Sequence, residues 1–108
     1  MGITREQAKE QVGIGWAKLI DRFYDFAPEW TEVTDVKEKF SGLRIYAFTD
    51  EASFDLIVIL EDESMHTCEF CGEAGSSVSL RGWYKTLCPK CEEEIKSKWH
   101  IEQNVPSV

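Results

Sequence analysis

No stretch of about 18 consecutive apolar residues occurs in this chain, so neither a membrane-spanning helix nor a membrane partner is expected. Residues 1–11 are charged and lack the apolar stretch of a secretory leader, which makes the cytoplasm the expected compartment. The opening Met-Gly resembles the start of a myristoylation signal, but Glu6 stands where that signal needs Ser or Thr. Histidine is scarce, with two in 108 residues, and there is no His-Glu-x-x-His, no phosphate loop and no Gly-x-Ser-x-Gly. No catalytic residue is therefore assigned, and a non-enzyme is expected. Positive charge is the other shortage: 12 Lys and Arg face 20 Asp and Glu, for a net charge of −8. Bulk attraction to nucleic acid works by counterion release at a positive surface, which this chain lacks on average. Cysteine is absent outside residues 68–91.

What is present points to one folded unit. The chain is 43% hydrophobic and carries four Trp, six Phe and three Tyr, far more than a disordered sequence holds, and its length suits one modest core. The negative charge is concentrated. Residues 1–28 are neutral, residues 29–63 carry ten acids and three bases, and residues 64–108 sum to −1. Such a segment either steers the protein toward a basic partner or simply keeps it dissolved.

From Thr4, a suitable N-cap, Val12, Trp16, Leu19, Ile20, Phe23 and Phe26 recur at spacings of three and four, the stripe of an amphipathic helix ending near Pro28. Gly13 and Gly15 weaken its middle, so it begins properly near Gly15. The Gly-x-Gly pair follows no strand and lacks a third glycine, which rules out a dinucleotide loop. Residues 30–48 read as a β-hairpin with Ser41-Gly42 as a two-residue turn. That turn pairs Phe40 with Leu43, Glu38 with Ile45 and Val36 with Ala47 on an apolar face, and Lys39 with Arg44 and Lys37 with Tyr46 on the other. The second face sets cations together and needs either a carboxylate, from Asp35, Asp50 or another acid, or an anionic ligand. Glu38 conflicts with its apolar surroundings. Asp50 then caps a second helix over residues 51–66 with Phe54, Ile57, Val58, Leu60 and Met65. The run 56–60 would also suit a buried strand, but Glu61-Asp62-Glu63 would interrupt one, and these three acids are expected to face water.

Cys68-x-x-Cys71-Gly72 and Cys88-x-x-Cys91 are separated by sixteen residues. Each pair can present two thiolates from one tight turn, Gly72 supplies the left-handed backbone, and two such turns complete a tetrahedral zinc site. Val78–Leu80 and Trp83–Leu87 flank Arg81-Gly82 as a short hairpin, and Pro89 suits the first turn of a helix running through Ile95 and Trp99. Turn, hairpin and a helix carrying the second pair follow the order of a treble-clef finger. Disulfides are disfavoured in a reducing compartment, and a thioredoxin-like site would need one redox pair rather than two. Four thiolates close the shell, so the zinc is structural, and His66 could replace a cysteine only redundantly. His100 is expected on the helix surface. Val78, Leu80, Trp83, Tyr84, Leu87, Ile95 and Trp99 make a thin core that metal binding would have to supplement.

The segments Gly15-Trp16-Ala17-Lys18-Leu19-Ile20, Val36-Lys37-Glu38-Lys39-Phe40-Ser41-Gly42-Leu43-Arg44-Ile45-Tyr46, Cys68-Glu69-Phe70-Cys71-Gly72 and Gly82-Trp83-Tyr84-Lys85-Thr86-Leu87-Cys88, in that order, resemble a family of small uncharacterised bacterial and phage proteins. Ser41 departs from a glycine usual there, and Cys91 stands where some relatives carry His. The resemblance implies helix, hairpin, second helix and zinc module in one compact unit, and a phage or mobile-element origin. The expected class is α+β over residues 1–108: a helix-hairpin-helix part (1–67), a four-cysteine zinc module (68–102) and a loose tail (103–108).

Two functions compete. The first is a protein-binding module, such as a phage-encoded inhibitor of a host defence or nucleic-acid-processing protein, offering Asp50, Glu51, Asp55, Glu61, Asp62 and Glu63 to a basic groove. The second is a nucleic-acid binder using Lys37, Lys39, Arg44, Tyr46, Arg81 and Lys85, with Trp83 or Tyr84 stacking on bases. A homodimer remains open in either case.

Overall fold

The computed structural model describes residues 2–80 and 82–103, without the side chains of 83 and 99–103. Arg81, the tail 104–108, and the side chains of Trp83, Trp99 and His100 therefore lie outside the described residues. Helix α1 (Arg5–Glu10) opens with a capping box: Thr4 Oγ1 accepts from Gln7 N at 3.1 Å, and Gln7 Oε1 accepts from Thr4 N at 2.8 Å. A 3-10 turn (Ile14–Trp16) leads into α2 (Ala17–Phe26). The stripe is thus interrupted at the glycines, and its main helix begins just beyond Gly15 as expected, with α1 as a separate short helix before it. Arg5 bridges Asp21 at 3.1 Å and Asp25 at 2.7 Å, and Lys9 bridges Asp21 at 3.0 Å, so this neutral segment consumes much of its own charge. Trp16, Leu19, Ile20 and Phe23 are buried as the stripe requires. Phe26 is not, because Ala27, four residues after Phe23, continues the stripe in its place.

Strands β1 (Glu32–Lys39) and β2 (Gly42–Phe48) form the hairpin, in a register two residues removed from the expected one. Val36 pairs with Ile45, Glu38 with Leu43, Lys37 with Arg44 and Lys39 with Gly42, and the turn falls on Phe40-Ser41 at φ 51° and 64°. A two-residue shift preserves which face each side chain takes, so Val36, Leu43 and Ile45 still enter the core. Phe40 leaves the sheet and becomes 72% exposed. The cause is tertiary: the Ser41 carbonyl accepts from Thr86 Oγ1, and the Ser41 and Ser77 hydroxyls lie 2.9 Å apart, which anchors Ser41 in the turn. Because a left-handed phenylalanine is strained, Phe40→Asn is expected to stabilise the protein by about 1 kcal/mol. A thermal melt should read this as a rise of about 4–8 °C.

Asp50 caps α3 (Glu51–Ser64) by accepting from Ser53 N at 3.0 Å. Its buried side is narrower than expected: Ile57 and Leu60 are buried, while Phe54, Val58, Ile59 and Met65 face solvent. Nor do all three acids at 61–63 face water. Glu61 Oε2 accepts from Ile45 N at 3.1 Å and Glu63 pairs with Arg22 at 2.5 Å, leaving Asp62 exposed. Hairpin β3 (Ser76–Leu80) and β4 (Trp83–Leu87) and helix α4 (Pro89–Gln103) complete the described chain.

Among the described side chains two apolar clusters result. The larger joins α1, α2, the first hairpin and α3; the smaller contains Leu80, Leu87, Cys68 and Cys88, with Val78, Cys91 and Ile95 partly buried against it. Tyr84, expected in that second core, is exposed. Two buried leucines contribute about 2 kcal/mol each, too little to order this many residues alone.

Candidate metal centre and its joint with the main core

The Sγ atoms of Cys68, Cys71, Cys88 and Cys91 lie within 4.8 Å of one another, and Cys71 and Cys88 approach to 3.5 Å. Zinc bonds of about 2.3 Å place tetrahedral sulfurs about 3.8 Å apart, so the set fits an ion with small side-chain adjustments. Local backbone explains the convergence. Gly72 at φ 83° completes a tight turn in which Gly72 N donates to the Cys68 carbonyl at 2.9 Å. Cys88 ends β4's path, Cys91 lies in the first turn of α4, and Cys91 N donates to Cys88 Sγ at 3.4 Å.

Protonation also favours an ion. Burial opposes ionisation of Cys68, but the backbone amides of Cys88, Cys71 and Phe70 outweigh it and bring the thiol down to about 7. For Cys71 the Glu73 amide favours the thiolate, yet burial and the Cys88 and Cys68 side chains push it up. Burial, then the Cys88, Cys68 and Cys71 side chains, push Cys91 up as well. Ionisation is thus favoured at Cys68 and resisted at Cys71 and Cys91, a strain among clustered thiols that a divalent cation would relieve. His66, the redundant ligand, stands outside the thiol cluster and is exposed.

The first cysteine turn is also a docking surface. Gly15 N donates to the Glu69 carbonyl at 2.8 Å and Trp16 Nε1 to the Thr67 carbonyl at 2.8 Å. A Cβ on Gly15 would sit 2.0 Å from the Cys68 carbonyl oxygen, and one on Gly13 would sit 2.2 Å from that of Glu69. The two glycines are therefore an approach pad for the cysteine turn as well as helix breakers. Glu69 is buried between Thr86 N, which donates to its Oε2 at 3.0 Å, and Lys85 Nζ at 3.5 Å; burial raises its carboxyl despite both. Lys85 also meets Glu38 Oε1 at 2.9 Å, which resolves the conflict of Glu38 on its apolar face. Sequence reasoning missed Glu69, Thr86 and Ser41, whose partners are supplied only by the fold.

The remaining candidates separate. Lys37, Lys39, Arg44 and Tyr46 share the outer face of the first hairpin, but Lys37 lies 3.5 Å from Asp35 and over the Tyr46 ring at 5.3 Å, and Arg44 lies 3.8 Å from Glu61. Acids therefore supply the counter-charge. Lys85 is remote in role, consumed at the joint. Among the acidic candidates Asp50 caps α3, Glu61 and Glu63 hold β2 and α2, and Glu51, Asp55 and Asp62 remain exposed without an ion pair among the described residues. Among those residues, no helix is long and apolar enough to cross a membrane. No protein-family model, curated protein or solved structure matches the chain.

Proposed function

We propose that this chain is a non-enzymatic, zinc-stabilised protein-binding module in which a closed, treble-clef-like site of four cysteines fastens the C-terminal part and a separate acidic, apolar surface meets a partner. The observation that carries the reading is the solvent-facing set Phe48, Phe54 and Val58, at 70%, 56% and 57% exposure, beside the free carboxylates Glu51, Asp55 and Asp62. Large apolar side chains clustered in water mark an interaction surface, and their acidic border selects a basic partner. Four thiolates would leave a zinc ion no open position for water, which supports a structural role for it. An inhibitor encoded by a phage or mobile element, acting in the host cytosol on a defence or nucleic-acid-processing protein, fits this chemistry.

One observation favours nucleic acid instead: Lys37, Arg44 and Tyr46 lie together on an exposed sheet face. Affinity capture from the native host, followed by reconstitution from two pure proteins, separates the readings. A binary complex that weakens with salt is expected. Absence of any such complex, with instead salt-sensitive binding of single-stranded DNA or RNA that Arg44→Ala abolishes, would overturn the proposal.

A further inference from the structure

We infer that the groove between β2 and α3 receives an amphipathic helix of the partner, carrying leucine-sized side chains on one side and Lys or Arg along its border. The inference rests on the protein-binding reading above and names its ligand. The groove has a volume of about 410 Å³; Ile45, Tyr46, Phe48, Phe54, Ile57 and Val58 give it its apolar lining, and the Arg44–Glu61 pair at 3.8 Å is its charged part. Ile45 and Ile57 are buried and form its floor, while Phe48, Phe54 and Val58 stand open as its walls.

The backbone decides what kind of element can enter. A strand added at the outer edge of β2 would need the amide donors of that edge. Leu43 N already donates to Ser64 Oγ at 2.8 Å and Ile45 N to Glu61 Oε2 at 3.1 Å, so two rungs of any added ladder are taken by α3. A helix satisfies its own backbone and needs only side-chain contacts. The fourteen residues of α3 run for about 21 Å, enough to lie along roughly four turns of an incoming helix.

Charge decides its composition. Glu51, Asp55, Val58 and Asp62 follow spacings of four, three and four, one stripe on α3, so free carboxylates bracket the apolar wall. Cations on the incoming helix would meet Glu51 and Asp55 on the exposed stripe beside Phe54 and Val58, and Asp62 farther along α3, where it also borders the cleft against α2. Phosphates would be repelled along the α3 side by the same carboxylates, and the groove's own cation, Arg44, is already paired with Glu61 at 3.8 Å.

The probe is a synthetic leucine–lysine amphipathic peptide of about five turns, titrated at about 0.15 M salt into isotope-labelled, zinc-loaded full-length protein and followed by amide chemical shifts. Shifts confined to β2 and α3 are expected. Val58→Glu, and separately Asp55→Lys with Asp62→Lys, are each expected to weaken binding about tenfold or more while leaving the free protein's spectrum folded. A leucine–glutamate peptide of the same apolar pattern should not bind. No binding, equal binding of the acidic peptide, shifts centred on α4 or the cysteine turns, unaffected variants, or the same groove shifting with a single-stranded DNA oligomer would each overturn the inference. A captured partner that binds both variants as tightly as the native chain discards the groove and keeps the protein-binding reading. A chain that forms no protein complex discards that reading itself.

Discussion

Cys88→Ser is expected to abolish stoichiometric zinc binding and to cost about 5 kcal/mol or more, unfolding β3, β4 and α4 in the process. Cys88 is buried, its sulfur lies 3.5 Å from that of Cys71, and it also accepts from Cys91 N. A serine hydroxyl is a poor substitute for a thiolate on zinc, and losing one ligand of four leaves the remaining thiols to repel one another once ionised. Among the described side chains, the apolar cluster around the site adds two buried leucines to the cysteines, a small core to resist unfolding there. Denaturant unfolding with parallel metal analysis reads both effects. A serine variant that retained one ion per chain and the native midpoint would remove the structural role assigned to the site.

The second large effect is expected at a residue that binds no metal. Gly15→Ala introduces a Cβ 2.0 Å from the Cys68 carbonyl oxygen and 2.7 Å from Gly72 N, both backbone atoms of the first cysteine turn. Neither can yield without moving Cys68 out of the thiol cluster or pulling away the 3-10 turn that carries Trp16. Destabilisation of about 3 kcal/mol is expected, together with weaker zinc retention. Gly2→Ala is a poor control because that site also crowds Val33, whereas Gly82→Ala adds no contact within 4 Å and tests only its left-handed backbone. Chelator competition on Gly15→Ala should therefore show faster zinc loss than on Gly82→Ala. Equal rates would mean that the approach of the two segments is incidental.

The four-cysteine cluster was legible because its geometry is local in sequence: the spacing of each pair and a following glycine specify a tight thiol turn whatever the rest of the chain does. The hairpin was legible in its strands and faces but not in its pairing. Ser41-Gly42 has the composition of a turn, yet Thr86 and Ser77, 45 and 36 residues away, hold Ser41 in its second position, so that the turn falls one residue earlier, on Phe40-Ser41. Gly13 and Gly15 were readable as helix breakers, but the backbone they admit lies more than fifty residues on, and no local pattern announces it. In α3 the run 56–60 suggests burial throughout. Helical geometry admits only Ile57 and Leu60 of that run fully, and the leftover Val58, with Phe54 one turn earlier, becomes the surface on which the functional proposal stands.

The indole of Trp16 links the two halves of the molecule: its ring is buried in the main core and its Nε1–H donates to the Thr67 carbonyl one residue before the first cysteine. Following that N–H resonance while a chelator strips zinc from the reduced protein tests whether four sulfurs on one ion fasten the C-terminal part to the core. Loss of the native resonance in step with release of one zinc per chain is expected. A resonance that stays in place as the ion leaves, or a chain from which no ion is released, would contradict it.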